Sequence, residues 1–183
     1  MGTILISCNL QSQGRILNRL DKHLNQYTGY STDLEMTINM DGKESRYKMR
    51  ERNTLNDKYS LTILEPKESS GIIIEFDGDK LHIKHANIKQ SITLNPVKKF
   101  DESLLIGRFF RSPQKLLDIK EEEVLDSDYY VFRNRISNRN RYSREQLIYL
   151  NKKDFKPHML NIVDSDGEVR VSIRYNNFKY TND

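Results

Sequence analysis

Five arginines fall within twelve residues, Arg133, Arg135, Arg139, Arg141 and Arg144, interleaved with Asn134, Asn138, Asn140 and Tyr142. Each guanidinium offers a planar fork of donors that fits a carboxylate or a phosphate, and arginine is favoured at protein interfaces. One reading of the cluster is a docking surface for an acidic partner protein. A second is an exposed hairpin whose arginines meet the acidic stretch from Asp118 to Asp128, and a third is a patch for nucleic acid or phospholipid. No nucleic-acid recognition motif accompanies the arginines, which counts against a nucleic-acid partner.

Catalysis and metal binding find less to work with. His82 and His85 are the nearest pair of metal-ligand types, but on a strand a three-residue separation sends them to opposite faces, and His23 and His158 are remote in sequence. A hydroxyl nucleophile needs a base held beside it, and no nucleophile motif surrounds Ser7, Ser91 or Ser143. The carboxylates at Glu121, Glu122, Glu123, Asp126 and Asp128 crowd together in the pattern of a solvated rim rather than of an acid/base pair. The expectation is a protein without catalytic residues, metal or cofactor.

The single cysteine, Cys8, excludes an internal disulfide and any multi-cysteine metal cluster. It closes the run Leu5-Ile6-Ser7-Cys8, with an aliphatic residue three before the thiol and a small one just before it. That run resembles the lipobox of bacterial lipoproteins, in which the thiol takes a diacylglycerol whose buried methylenes each contribute about 0.8 kcal/mol of membrane affinity. The other reading is an apolar N-terminus with an ordinary buried cysteine, since no basic n-region precedes the run. With such a region ahead of Met1, the native protein would be exported and anchored at Cys8. Residues 1–12 are therefore expected to form a lipobox-like segment and tether, and 13–183 a single domain.

The elements around these groups are mostly strands. Between Asp57 and Leu94, four apolar runs are broken at Glu65-Pro66, Ser69-Ser70-Gly71 and Asp77-Gly78-Asp79, with Tyr59, Leu61 and Ile63 and then Ile72, Ile74 and Phe76 at period two. Leu34, Met36, Ile38 and Met40 alternate likewise, and Asp41-Gly42 turns them into a second run through Tyr47 and Met49 whose outward positions, from Glu44 to Arg52, are heavily charged. Further strands are predicted over Asp128 to Ile136, Arg144 to Leu150, Pro157 to Asp164 and Glu168 to Tyr175. The last of these alternates strongly enough to pair or swap with a second copy, giving a homodimer.

Two helices complete the pattern. Ile16, Leu17, Leu20, Leu24 and Tyr27 recur at helical spacing from Gln13 to Tyr27, with Gly29 as the C-terminal cap. Pro96 closes the meander, and Phe100 to Phe110 reads as a second helix facing inward through Leu104, Leu105, Phe109 and Phe110 and stopped by Ser112-Pro113. Leu116-Leu117 is expected to start a short further turn of helix.

Hydrophobic residues make up 36% of the 183 and charged residues 31%, so the apolar side chains must concentrate on one sheet face and the helices it carries. The net charge of +4 is spread through mixed runs and selects no partner by itself. No apolar stretch reaches the roughly 18 residues that a spanning helix needs.

Two helices packed into a long bent antiparallel sheet is the arrangement of the LolA/LolB-like lipoprotein-carrier half barrel. The chain resembles that superfamily from its first helix to its last strand. The resemblance implies an α+β fold, a strongly curved antiparallel sheet with helices on its concave face. More closely, the segment KYSLTILEPKESSGIIIEFDGDKLHIKHANIKQSITL is similar to the GerS-like germination lipoproteins of spore-forming clostridia. This second likeness implies a non-enzymatic spore lipoprotein, anchored through Cys8 to a spore membrane facing the cortex. It further implies binding and activation of the cortex N-acetylmuramoyl-L-alanine amidase CwlD, muramic-δ-lactam formation in cortex peptidoglycan, and hence germination. Cys8 is the one residue whose role carries over. The superfamily also implies an alternative, a lipid or lipoprotein carrier holding acyl chains between sheet and helices. Met36, Met40, Met49, Phe76, Phe109 and Phe110 would line such a groove, or would fill a packed core.

Overall fold

Asp41 and Gly42 adopt positive φ (49° and 75°), the conformation that turns a chain back in two residues with the twist its strands require. That turn joins β1 (Gly29–Met40) to β2 (Lys43–Thr54), in register from Gly29↔Thr54 to Met40↔Lys43. The computed structural model describes residues 4–54, 58–94, 104–111, 116–124 and 127–182 and, of these, the side chains of all but 4–11, 123 and 137–140. The expected meander follows as β3 (Lys58–Glu65), β4 (Ile72–Phe76), β5 (Leu81–His85) and β6 (Ile88–Leu94). A second meander comprises β7 (Leu116–Val124), β8 (Ser127–Asn140), β9 (Ser143–Asn151), β10 (Pro157–Val163) and β11 (Val169–Thr181).

The eleven strands among the described residues form one antiparallel sheet in the order β6-β5-β4-β3-β2-β1-β11-β10-β9-β8-β7. Each meander pairs neighbour with neighbour, and the β1–β11 ladder, from Gly29↔Thr181 to Ile38↔Val171, joins the two. The sheet is bent and unclosed. Three strand spacings, about 14 Å in a flat sheet, separate β1 from β9. Yet at the β8–β9 turn the Tyr142 hydroxyl donates to Asp41 at the β1–β2 turn over 3.0 Å, and Arg141 lies 3.6 Å from the same carboxylate.

Helix α1 (Ile4–Leu24) starts well before Gln13, and residues 4–12, expected as a tether, continue its backbone. Leu20 and Leu24 are buried, and Ile16 and Leu17 partly so, as the spacing predicts. His23 holds the helix end through ring contacts with Tyr27, Phe155 and Tyr180 at 5.1–5.5 Å. Gly29 does not cap this helix: it opens β1, where a Cβ would meet the Asn53 carbonyl at 2.4 Å, so close strand approach is what demands glycine. Helix α2 (Ile106–Arg111) is shorter than predicted, but Leu105, Phe109 and Phe110 are buried as expected, Leu104 is partly buried, and Ile106, which the spacing does not single out, is fully buried. Residues 100–103, Pro96 and Ser112-Pro113 lie outside the described residues. Leu116-Leu117, expected as helix, begins β7 instead. Pairing with β8 from Leu116↔Asn134 to Val124↔Ser127 supplies long-range hydrogen bonds and a buried seat for Ile119, which outweigh local helical preference.

Both helices share one core cluster with the same sheet face, contributed by Tyr30, Leu34, Met49, Phe132, Ile148, Leu160, Ile173 and Phe178 among others. The rings interlock. Tyr30 stacks on Phe178 at 5.0 Å and meets Phe110 edge-on at 5.9 Å, while Phe109 meets Phe132 at 5.0 Å.

Polar groups interrupt this face at Glu51, Asn53, Asn134 and Gln146. Glu51 is fully buried and accepts a 2.6 Å hydrogen bond from the Tyr30 hydroxyl. Burial pushes its carboxyl up to about 7, against the opposing pull of Tyr30. Burial and the facing Glu51 also push the Tyr30 and Tyr175 phenols well above their usual value. Gly107 admits α2 to this spot, since a Cβ there would lie 2.4 Å from the Asn53 amide nitrogen.

Because the folded protein keeps the Glu51 proton up to about pH 7 while the unfolded chain releases it near 4.5, its contribution to stability is complete below pH 4.5 and is lost as pH rises to 7. The loss is about 3 kcal/mol for a raised pKa of this size. Urea unfolding of the parent and of Glu51→Gln across that range should give curves that converge in acid and separate by this order above neutrality, the parent being the less stable. Parallel curves would show that Glu51 does not titrate as described.

Candidate functional site

The arginine cluster is divided by the strands that carry it. Arg133 and Arg135 alternate with the buried Phe132, Asn134 and Ile136 on β8 and so project from the outer face, whereas Arg144, the second residue of β9, has the opposite parity, in line with Gln146 and Ile148. Arg133 donates to Glu145 at 2.7 Å, a bond that keeps the guanidinium still more firmly protonated. Arg141 is occupied by Asp41 and by the neighbouring Tyr142 ring, 4.3 Å away. Arg135 and Arg144 are exposed and make no ion pair among the described residues, and the Arg139 side chain lies outside them. Among the described residues the arginines' ion pairs run to Glu145 and Asp41, while Asp118 of the acidic stretch stands opposite Arg133 in register and adds to the field that keeps it protonated. Residues 118–124 of that stretch belong to the edge strand β7, whose Glu121 takes Lys152 at 2.5 Å.

The two free edges differ. β7 carries Asp118, Glu121 and Glu122, charges that discourage a further strand. β6 is exposed along its whole length, with Ile88 at 52% and Ile92 at 61% relative exposure. The alternating run from Glu168 to Tyr175, expected to pair with a second copy, lies in β11 between β1 and β10, so both of its edges are already bonded.

A set of polar residues that the sequence does not single out comes together on the outer face of the first meander. Ser31, Arg52, Ser60, Glu75, His82 and Thr93 stand opposite one another in a single row across β1 to β6. They belong to five reversals of the chain, and their alignment is a matter of register, which spacing along the sequence does not state. A groove of about 800 Å³ runs along the row and is lined also by Thr54, Lys58, Asp77 and Lys84. Lys84 donates to Glu75 at 2.5 Å. Asp77 accepts the backbone amides of Lys80 and Asp79 at 2.9 and 3.0 Å and faces His82 at 3.3 Å, contacts that hold its carboxyl down to about 2. His82 also contacts the Thr93 hydroxyl at 3.0 Å. His85 is bonded by the Asn87 amide at 3.2 Å on the other parity of β5, so the two histidines diverge as the sequence requires. Cys8 lies on the backbone path of α1, and its side chain is outside the described residues.

Comparison with known proteins places this geometry. The chain is 22% identical over 180 residues to sporulation protein YdcC of Bacillus subtilis (strain 168), a match covering 97% of this chain and 53% of the relative. It therefore spans about half the length of that curated relative. A putative outer membrane lipoprotein-sorting protein domain from Vibrio parahaemolyticus shares the fold at TM-score 0.52 and 13% identity, over 94% of this chain and 93% of that one. So does a chain in the structure of the CwlD amidase from Clostridioides difficile in complex with the GerS lipoprotein, at TM-score 0.57 and 23% identity, over 92% and 95% of the two chains. The bent antiparallel sheet with its two helices is thus an architecture found among lipoprotein-sorting proteins, as the sequence resemblance implied. The profile of the family described as "Sporulation protein YdcC-like" matches residues 1–183, and the chain belongs to that family.

Proposed function

We propose that this chain is a non-enzymatic, extracytoplasmic binding protein of the sporulating cell that docks on a cell-wall amidase of the CwlD type and supports its action on cortex peptidoglycan. The observation that carries the reading is the packing of aromatic rings between helices and sheet among the described residues. Phe109 and Phe110, which a carrier would use to line a groove for acyl chains, are 4% and 7% exposed and locked among Tyr30, Phe132 and Phe178. A protein with such an interior works through its surface. Membership of a sporulation family and a shared fold with a complex of amidase and lipoprotein support the choice of partner. In this reading the helices occupy the concave side of the sheet, leaving the outer face and the rim for docking. Arg135 and Arg144, together with the other arginines of the 133–144 segment, belong to the docking surface, where a buried guanidinium meeting a carboxylate is a frequent anchor. Cys8 is the lipid-attachment site that holds the protein at a membrane facing the cortex.

The amidase reading is tested by size-exclusion chromatography of the purified chain with the sporulation amidase of its own organism, together with amidase activity and metal content. Co-elution with a response of the enzyme is expected, and Arg135→Glu and Arg144→Glu should each weaken the complex by about tenfold, roughly 1.4 kcal/mol. Separate elution with an unresponsive enzyme refutes the reading. The anchor is checked by detergent-phase partitioning of the protein from sporulating cells. The parent should enter the detergent phase and Cys8→Ala remain in the aqueous phase, whereas equal partitioning would remove Cys8 as the attachment site.

A further inference from the structure

We propose that the groove on the outer face of the first meander is a binding site for an oxyanion, a carboxylate or phosphate group carried on a hydrophilic ligand, with Arg52 and Lys58 as its charged contacts. The acids in the groove are already satisfied: Glu75 by Lys84 at 2.5 Å, Asp77 by His82 and two backbone amides. Its cations are not. Arg52 and Lys58 are exposed and make neither an ion pair nor a side-chain hydrogen bond among the described residues. Among the described lining residues an incoming cation meets no carboxylate without a partner, while an incoming anion meets the two unpaired cations Arg52 and Lys58.

The surrounding groups fit the same ligand. Ser31 and Ser60 flank Arg52 directly across β1 and β3, and Thr54 faces Lys58, so each cationic residue has a hydroxyl-bearing neighbour whose Cβ stands about 5 Å from its own, the spacing of cross-strand pairs. A guanidinium fork takes two oxygens of an oxyanion, an ammonium adds a point charge, and hydroxyls satisfy the remaining lone pairs. The contacts stand on paired strands rather than on loops, which fixes their geometry before the ligand arrives. At about 800 Å³ the groove has the size of a small-molecule site. Its far end, formed by the bonded pairs Glu75–Lys84 and Asp77–His82, offers donors and acceptors to a polar body rather than apolar surface to an acyl chain.

Glutarate and inorganic phosphate serve as separate probes of the carboxylate and the phosphate source, titrated into the isotopically labelled chain at low ionic strength and followed by NMR. The expected result is saturable shifts at Arg52, Ser31, Thr54 and Ser60, with the tighter probe identifying the source. Arg52→Ala or Lys58→Ala should weaken binding by about tenfold. Lys22→Ala, which removes the same charge from the exposed side of α1, should leave it unchanged. Both arginine and lysine sites are at the surface, and the dispersion of the unliganded spectra verifies that the variants fold. Shifts spread over all basic positions, equal weakening by Lys22→Ala, or no saturable shift with either probe would overturn the proposal.

Discussion

The pairing of β1 with β11 is the constraint on which the rest depends. Every other ladder joins strands adjacent in sequence, whereas this one brings Gly29 opposite Thr181 and makes two meanders a single surface. Closing so long a loop costs chain entropy before any contact compensates for it, so the seam needs strong support. It has that support on the helix side. Tyr30 of β1 stacks on Phe178 of β11, Tyr27 stacks on Tyr180 at 4.5 Å, and the Thr28 amide donates to the Thr181 carbonyl at 2.9 Å. Arg19 of α1 reaches across to the Tyr130 hydroxyl at 3.0 Å, tying the helix to the second meander.

The two faces of the sheet then have different work. The helix side is largely apolar and interlocked, and the buried carboxyl of Glu51 lies beside the seam under Tyr30. The outer side carries ion pairs such as Arg50–Asp33 at 2.8 Å and Lys48–Glu65 at 3.1 Å, which at such exposure contribute little to stability. What they set is the pattern of charge that a ligand or partner meets. In that pattern Arg52 and Lys58 on one meander and Arg135 on the other are exposed cations without an ion pair among the described residues and remain able to form new bonds, as does Arg144 near the β8–β9 turn on the opposite parity.

Much of this fold is written in local alternation. The hairpin at Asp41-Gly42, the breaks at Ser69-Ser70-Gly71 and Asp77-Gly78, and the inward set Leu20, Leu24, Phe109 and Phe110 are all readable from period and turn chemistry. Leu116-Leu117 misleads because an edge strand owes its state to a partner that local sequence does not contain. Glu51 is hidden by composition. β2 is so rich in charge that its acids read as solvated, yet continuing the alternation of Tyr47 and Met49 lands on Glu51 and Asn53. The arginine cluster shows the opposite error, since residues close in sequence are parted by the pleat and by pairing with Glu145 and Asp41. The outer groove is a property of register across six strands, and nothing short of the assembled sheet displays it.

The account stands on a closed interior that leaves the surface to do the binding. Native mass spectrometry of the Cys8→Ala chain, extracted gently from sporulating cells, tests this most directly. Bare polypeptide is the predicted species. A stoichiometric acyl lipid that travels with the folded protein and is released on denaturation would contradict a filled sheet–helix space and make the protein a carrier.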